Sequence, residues 1–310
     1  MMKIIKKLLL SIVAALSIPL AANVPDWSFD DIDNGWNSDS LAKMYFHYSE
    51  TQRQWAWELL SKYSFRGCEN ILDFGCGDGK VTAEISRLVP KGNILGVDLS
   101  SEMLHLAQMK FPYYAYPNLT YKKSESLTFS DFLGEQSYDV ICSFTVFHLV
   151  ADPLETLKNL KKNLKLDGLL LLVIPTGTNS VIYQAANEIF NKYEIEAPWN
   201  KIVSKESQTM RTLDGCSFFL KEAGYDIRSL EIIDTENAFY DLDELIIWMV
   251  GTVTANWNVP LSISKIFFTD LVQRMYELDP KMIDEDGRVR FKMPRIHVVA
   301  TPLNEITNKM

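Results

Sequence analysis

Cysteine and histidine are scarce in this chain of 310 residues, with four of each. The cysteines Cys68, Cys76, Cys142 and Cys216 show no CxxC spacing and have no paired histidines nearby, so neither a disulfide framework nor a zinc site is predicted. We expect no metal site, and we interpret the four thiols as small, buried hydrophobic side chains.

Positive charge is the second shortage. The 31 Lys and Arg residues stand against 40 Asp and Glu residues, which gives a formal net charge of −9 and leaves no dense basic patch. Binding to a phosphate backbone is therefore disfavoured, and nucleic acid is not expected as a partner. Hydrophobic residues form 47% of the chain, enough for the core of one large domain or one and a half.

Long apolar runs are missing except at the N-terminus. Three lysines within the first seven residues precede the apolar run 8–18, and small residues follow up to Ala22. This pattern is typical of a secretory signal peptide, here residues 1–22. The run is short for a bilayer span, although a marginal anchor remains an alternative. We predict export or secretion, with no stable membrane insertion after cleavage.

The rest of the first half alternates strand and helix patterns. Residues 23–40 form a polar stretch typical of an irregular arm, and helical spacing follows over 41–63, with a possible break near Ser49. The predicted strands are 70–74, 93–98, 119–123, 138–144 and 169–174, and the helices between them are 80–88, one that begins near Ser100, and 153–164. This order predicts an open α/β fold, with a mostly parallel sheet covered by helices on both faces.

The second half is more helical. Apolar spacing predicts helices at 181–193, 213–223, 242–249 and 264–276, and strands at 226–233 and 295–300. We interpret the interposed helices as a lid, or substrate-binding insertion, within the last part of the sheet.

A glycine-rich turn carries the chemistry. Gly75, Gly77 and Gly79 follow a predicted strand and open a helix, and Asp98 ends the next strand nineteen residues later. Such a turn lets backbone approach a ligand closely, and the acid can accept both hydroxyls of a ribose. Three glycines alone could merely turn the chain, but this context favours a nucleoside site. The G-x-G-x-G spacing, with Asp73 before it, differs from the pattern that holds a pyrophosphate.

Residues 71–79 (ILDFGCGDG) and 96–100 (GVDLS) resemble the class I S-adenosylmethionine-dependent methyltransferases. The resemblance continues through 138–144 and 164–168 and spans roughly 41–301. It implies a Rossmann-like, seven-stranded sheet whose last strand is antiparallel, and S-adenosyl-L-methionine as cofactor. The implied organisation is a cofactor-binding core over 41–175, followed over 176–310 by a helical lid and the last strands.

The resemblance also implies roles for single residues. The glycine loop would back the methionine portion of the cofactor, Asp98 would hold the ribose, and Leu99 would press on adenine. Relatives often have an Asp where Lys123 stands, so adenine recognition passes to backbone groups or to Glu125. The full predicted cofactor set is Asp73, Gly75, Cys76, Gly77, Gly79, Asp98, Leu99, Ser124, Glu125 and Ser143.

Other segments narrow the reaction. Residues 44–53 and 143–149 look like parts of juvenile hormone acid and trans-aconitate methyltransferases, and 286–291 with 294–296 resembles the latter. Those enzymes methylate carboxylates of small acids. We therefore expect in-line O-methylation of a small organic acid. A carboxylate is ionised at neutral pH, so the reaction needs alignment and exclusion of water more than a general base.

The substrate side rests on three predicted positioning residues. Gln52 matches the amide that orients the carboxylate in the hormone-acid enzymes, although a surface glutamine is the alternative. Tyr45 and His148 are predicted to line the same pocket, with a wall histidine as the alternative for His148. Leu149 replaces a Trp frequent in these relatives, which predicts an altered acceptor pocket.

Three alternatives stay open. The acceptor could be another small molecule or the free carboxylate of an acyl-carrier thioester. The protein could also be a secreted binding protein that keeps the fold without turnover. The signal peptide motivates this last alternative, since S-adenosylmethionine is made in the cytosol and an exported enzyme would meet it only if delivered to another cell. A monomer is expected.

Overall fold

The computed structural model of the chain describes residues 35–132, 137–176, 181–197 and 204–303. The predicted signal peptide and most of the predicted arm lie outside these ranges, so both stay predictions. Within the described ranges, no helix is both long and apolar enough to cross a membrane.

Within these ranges, nine strands form two sheets. They are β1 (Asn70–Phe74), β2 (Asn93–Asp98), β3 (Leu119–Lys123), β4 (Tyr138–Phe144), β5 (Leu164–Pro175), β6 (Tyr225–Ile233), β7 (Glu236–Phe239), β8 (Val289–Lys292) and β9 (Arg295–Pro302). The main sheet has the order β3-β2-β1-β4-β5-β9-β6, and β7 pairs with β8 in the small one. Strands β1 to β5 are parallel to one another, whereas β9 is antiparallel to both β5 and β6. The predicted fold class is confirmed.

The strand order reverses between β1 and β4, and in open α/β sheets ligands bind outside the carboxyl ends of strands at such a point. The helices around the sheet are α1 (Asp39–Tyr48), α2 (Glu50–Leu60), α3 (Lys80–Leu88), α4 (Ser101–Lys110), α5 (Pro153–Asn163), α6 (Val181–Lys192), α7 (Lys205–Met210), α8 (Leu213–Glu222), α9 (Leu242–Thr252) and α10 (Leu261–Leu278). The predicted helix over 41–63 is in fact α1 and α2, with the break at Ser49.

Side-chain hydroxyls cap the helices that flank the glycine loop. Ser38 Oγ accepts a hydrogen bond from the backbone N–H of Leu41 at 3.3 Å, and Ser100 Oγ accepts one from Met103 at 3.0 Å. A Ser at this position satisfies a backbone donor that the helix leaves free. The caps therefore set where α1 and α4 begin, and α4 begins directly after the end of β2.

Alternate residues of the strands face two different cores. Leu72 packs towards α5 and α8, whereas its neighbour Ile71 packs towards α2 and α3. A third cluster joins α1 to helices α6, α9 and α10, which we call the lid helices. One expectation was wrong: Cys68 is exposed, while the other three cysteines are buried. It follows Gly67, whose positive φ places it in a surface turn before β1.

His297 on β9 is a buried histidine with a predictable effect on stability. It is 1% exposed, and neither ring nitrogen has a hydrogen-bond partner among the described residues. Burial, then the positive charges of Arg295 and Lys62, lower the pKa of His297 to about 4, against a smaller opposite effect of Glu231. Between pH 6.5 and 4, the imidazole of His297 is therefore protonated in the unfolded chain but neutral in the folded chain.

We expect this contribution to stability to be complete above pH 6.5 and to be lost as the pH falls towards 4, by up to about 3 kcal/mol. Replacement of His297 by Leu removes the titrating group and fills similar space. In urea unfolding from pH 7 to pH 4, the free energy of unfolding of the variant should rise relative to that of the wild type as the pH falls. A constant difference between the two proteins across this range would contradict the prediction.

Candidate active site

The loop between β1 and α3 has a backbone that only glycine adopts easily. Gly75, Gly77 and Gly79 have φ of 75°, 52° and 76°. A Cβ on Gly75 would lie 2.3 Å from Cγ2 of Val146, whereas the nearest atom to a Cβ on Gly77 would be Cε1 of Tyr45 at 4.0 Å. The loop therefore packs tightly against the end of β4 at one side and leaves room at its centre.

Asp98 joins this loop to the end of β2. Its Oδ2 accepts a hydrogen bond from the backbone N–H of Gly77 and its Oδ1 one from Ser100, both at 2.9 Å. Burial raises the pKa of Asp98, while these hydrogen bonds oppose the rise. Leu99 beside it is 44% exposed, which is unusual for a large apolar side chain next to a buried acid. That Asp98 holds a ribose and Leu99 covers a base stays a prediction.

A cleft of about 430 Å³ lies over the loop, between the α1–α2 junction and the end of β4. It brings together six of the predicted site residues, namely Tyr45, Gln52, Asp73, Gly75, Cys76 and Gly77. Residues far apart in sequence thus meet at the carboxyl edge of the sheet, where α/β folds bind ligands.

Two side chains reach the cleft from the helices above it. Tyr45 lines the cleft together with Thr145, and burial, followed by the nearby carboxylate of Asp78, raises the pKa of its phenol. The Oε1 atom of Gln52 is buried and has no hydrogen-bond partner among the described residues. A buried amide oxygen without a partner is costly, so Oε1 of Gln52 is available to a hydrogen-bond donor on a ligand.

His148 lies apart from these two. It is not among the residues that line the cleft, although Thr145, three positions earlier, is. The backbone carbonyl of His148 accepts a hydrogen bond from Ser207 Oγ at 2.9 Å, and its Nδ1 is buried with no partner among the described residues. Burial, and next the charge of Arg211, lower its pKa to about 3, so the ring is neutral.

Asp73 lines the cleft, but other side chains occupy its carboxylate. Oδ2 accepts a hydrogen bond from Thr82 Oγ1 at 2.6 Å, and the thiol of Cys142 lies 3.7 Å from Oδ1. Burial raises the pKa of Asp73 to about 6, with these two partners acting in the opposite direction. In this arrangement the carboxylate ties the start of α3 to β1 and β4. Its predicted contact with the cofactor stays a prediction.

The remaining predicted residues follow β3 and end β4. Ser124 Oγ donates to Asp131 Oδ1 at 2.9 Å, and the same carboxylate accepts from the backbone N–H of Glu125 at 2.9 Å. The exposed side chain of Glu125 pairs with Lys123. The hydroxyl of Ser143 is buried without a partner among the described residues. Ser124 therefore shapes the loop, and the contact of Glu125 with adenine stays a prediction.

Three polar side chains form a hydrogen-bonded cluster over the loop that was not predicted from the sequence. Ser49 Oγ donates to Asp78 Oδ2 at 3.0 Å, and Lys80 Nζ lies 3.0 Å from Ser49 Oγ and 3.7 Å from Asp78. Burial raises the pKa of Asp78 and lowers that of Lys80. The break between α1 and α2 is thus fastened to the loop. The only signals in the sequence were an acid between two glycines and the interrupted helix.

Comparison with known proteins places this geometry in context. The model of a family described as "Methyltransferase domain" matches residues 72–170. A trans-aconitate 2-methyltransferase of Rhodopseudomonas palustris is 24% identical over 267 residues, which cover 85% of this chain and 99% of that protein. A malonyl-[acyl-carrier protein] O-methyltransferase of Bacillus cereus is 35% identical over 139 residues, which cover 43% of this chain and 49% of that protein.

Solved structures share the fold. The YcgJ protein of Bacillus subtilis has a TM-score of 0.55 at 16% identity, with 81% of this chain and 99% of that chain covered. A Haemonchus contortus phosphoethanolamine N-methyltransferase in complex with S-adenosylhomocysteine has a TM-score of 0.51 at 16% identity, with 81% and 53% covered. At such identities the likeness concerns the fold alone.

Proposed function

We propose that this protein, a class I S-adenosylmethionine-dependent methyltransferase, transfers the methyl group to a carboxylate of a small organic acid. The relative matched along 99% of its length is named for methylation of trans-aconitate, so the likeness includes the lid as well as the core. This supports a free acid as the acceptor.

The cleft is chemically suited to S-adenosylmethionine, which when bound supplies an electrophilic methyl group on a positively charged sulfur. Asp73, Asp78 and Asp98 concentrate carboxylates around the loop, and such a site favours a cationic ligand. The open space over Gly77 admits close approach to the backbone. Leu99 offers an exposed apolar surface for a purine ring.

The observation that carries the proposal is the shortage of a free general base. The carboxylate of Asp73 is hydrogen-bonded on both sides, and Lys80 is held by Ser49 and Asp78. His148, with a pKa of about 3, is a weak base. An acceptor hydroxyl or amine would need such a base, whereas a carboxylate of pKa about 4 is already ionised at pH 7.

The side chains at the cleft then have to position the acceptor. The amide of Gln52 and the phenol of Tyr45 can donate hydrogen bonds to a carboxylate oxygen above the loop. The helices α1 and α2 that carry them border the cleft on one side. Alignment of this kind is the main contribution that such a reaction requires from the protein.

Replacement of Gln52 by Ala should lower kcat/KM for methylation of an acid by roughly 10- to 100-fold, because one orienting contact is lost. His148→Ala should have a smaller effect, since that ring lies outside the cleft lining. For both variants and the wild type, kcat/KM should stay level from pH 7 to pH 9. Steady-state kinetics with a radiolabelled methyl donor measure kcat/KM of the two variants and of the wild type across this pH range.

Gln54→Ala provides a matched control on the same helix, because Gln54 is exposed. Unchanged kcat/KM in Gln52→Ala would remove this residue from the site. A wild-type rate that rises with pH through a single ionisation would point to a general base and against a carboxylate acceptor.

A second candidate acceptor is the free carboxylate of an acyl-carrier thioester. The 35% identity to a malonyl-[acyl-carrier protein] O-methyltransferase favours it, but that match covers only 49% of the relative. A direct comparison of malonyl-acyl-carrier protein with free acids as methyl acceptors separates the two candidates.

A further inference from the structure

Arg211, which follows α7, is a buried guanidinium at the carboxyl edge of the main sheet. It is 8% exposed. Its Nε donates to the backbone oxygen of Pro175 at 3.1 Å, and its Nη2 donates to the backbone oxygen of Thr176 at 3.0 Å and to the hydroxyl of Tyr183. The guanidinium also lies over the ring of Tyr183, with its Cζ 5.3 Å from the ring centroid. All of these partners are neutral.

Arg211 has no carboxylate within 4 Å and no acceptor for Nη1 among the described residues. The other cations that the structure describes at this edge each have an acidic partner: Arg53 pairs with Glu84, Lys80 with Asp78 and Arg295 with Glu58. A buried charge without a counter-charge is destabilising. A residue kept in this state fits an anion that comes from outside the chain.

Arg211 is held at the end of the strand beside the one that leads into the cleft. Thr145, which lines the cleft, follows β4, and its backbone N–H donates to Val173 of β5 at 2.8 Å. Thr176, which holds Arg211, follows β5. Neighbouring strands lie about 4.8 Å apart, so Arg211 is anchored one strand further along the same edge. His148, whose Nδ1 has no described partner, belongs to the turn that follows Thr145.

We propose that Arg211 binds a second, non-reacting carboxylate of the acceptor, so that the enzyme selects acids with two or more carboxylates. The inference rests on the proposed carboxyl methylation. A guanidinium offers two parallel donors that match a carboxylate, and Nη1 is the group available to it. Anchoring at this second point fixes which carboxylate reaches the cleft, and Arg211 therefore acts as a positioning residue.

The test compares acids that differ only in the second carboxylate. Glutarate, trans-glutaconate and tricarballylate are each paired with an analogue in which one carboxylate is a neutral amide. Binding to the wild type is measured by calorimetry in the presence of S-adenosylhomocysteine, and methyl transfer is measured separately. We expect the polycarboxylates to bind at least 30-fold more tightly than the amides. Equal affinities, or no binding of any polycarboxylate, would overturn the inference.

Variants then assign the effect to Arg211. Arg211→Gln should lose the preference for the second carboxylate, with a rise of roughly 30-fold or more in KM and little change in kcat, and Arg211→Lys should recover part of it. Arg274→Gln is the matched control, because it breaks the ion pair with Glu188 between α6 and α10 without touching the sheet edge. It should bind both members of each pair as the wild type does.

Each failure has its own pattern. If Arg211 merely connects α6 to the sheet, Arg211→Gln weakens the binding of the polycarboxylates and of their amide analogues equally, and the inference is wrong. If polycarboxylates bind through Arg211 but no methyl group is transferred to them, carboxyl methylation fails while the binding site stands. If Arg211→Gln does not fold, the inference is still tested by whether the wild type binds the polycarboxylates more tightly than their amide analogues.

Discussion

Replacement of Asp98 by Ala is expected to weaken S-adenosylmethionine binding by roughly 100-fold or more. The carboxylate accepts hydrogen bonds from the backbone of both Gly77 and Ser100, so its removal leaves two backbone donors unpaired and frees the loop. The predicted bonds to the ribose hydroxyls are lost as well. Loop geometry and ligand contact therefore depend on the same side chain, and this makes the expected effect large.

Calorimetric titration of the cofactor measures this loss. Asp98→Asn keeps the size and one acceptor oxygen, so it should fall between the wild type and Asp98→Ala. Glu102→Ala is a matched control, because it removes a carboxylate from the first turn of α4 instead of the end of β2. Cofactor binding by Asp98→Ala at wild-type strength would refute the assignment of the site.

Gly75→Ala should destabilise the protein by about 3 kcal/mol or more and abolish activity. A left-handed backbone costs about 1 to 2 kcal/mol for a residue with a Cβ, and overpacking adds about 1 to 3 kcal/mol. Both apply here, because φ is 75° and the new Cβ would lie 2.3 Å from Val146. Urea unfolding gives the loss of stability directly.

A second substitution separates the two causes. Val146→Ala removes the clashing methyl groups and leaves only the Cβ of residue 146, at 3.1 Å, so the double variant should recover most of the packing part and keep the backbone part. Gly287→Ala isolates the backbone part, because its φ is 83° and a Cβ there would meet nothing within 4 Å. No recovery in the double variant would show that contact with Val146 is not the cause.

The strands that flank the loop were readable from the sequence because their apolar runs are short, dense and bounded by turn residues. The strand predictions 70–74, 93–98 and 119–123 agree with β1, β2 and β3. The small β7–β8 sheet was missed, since strands of four residues leave no clear pattern. Helix α7 has only six residues and was missed for the same reason.

By itself the sequence determined the cofactor end of this protein. A glycine loop and the acid after the next strand are local features, set by backbone conformation and by alternation of strand and helix. The meeting of the loop with Asp98 could therefore be predicted without a structure. Only the tertiary structure decided the surroundings of Gln52 and Arg211, on which the proposed acceptor site depends. Whether Arg211 has a counter-charge, and which residues share the cleft with Gln52, depends on contacts between distant parts of the chain, such as Arg211 with Pro175 or Gln52 with Thr145, for which sequence has no period or spacing.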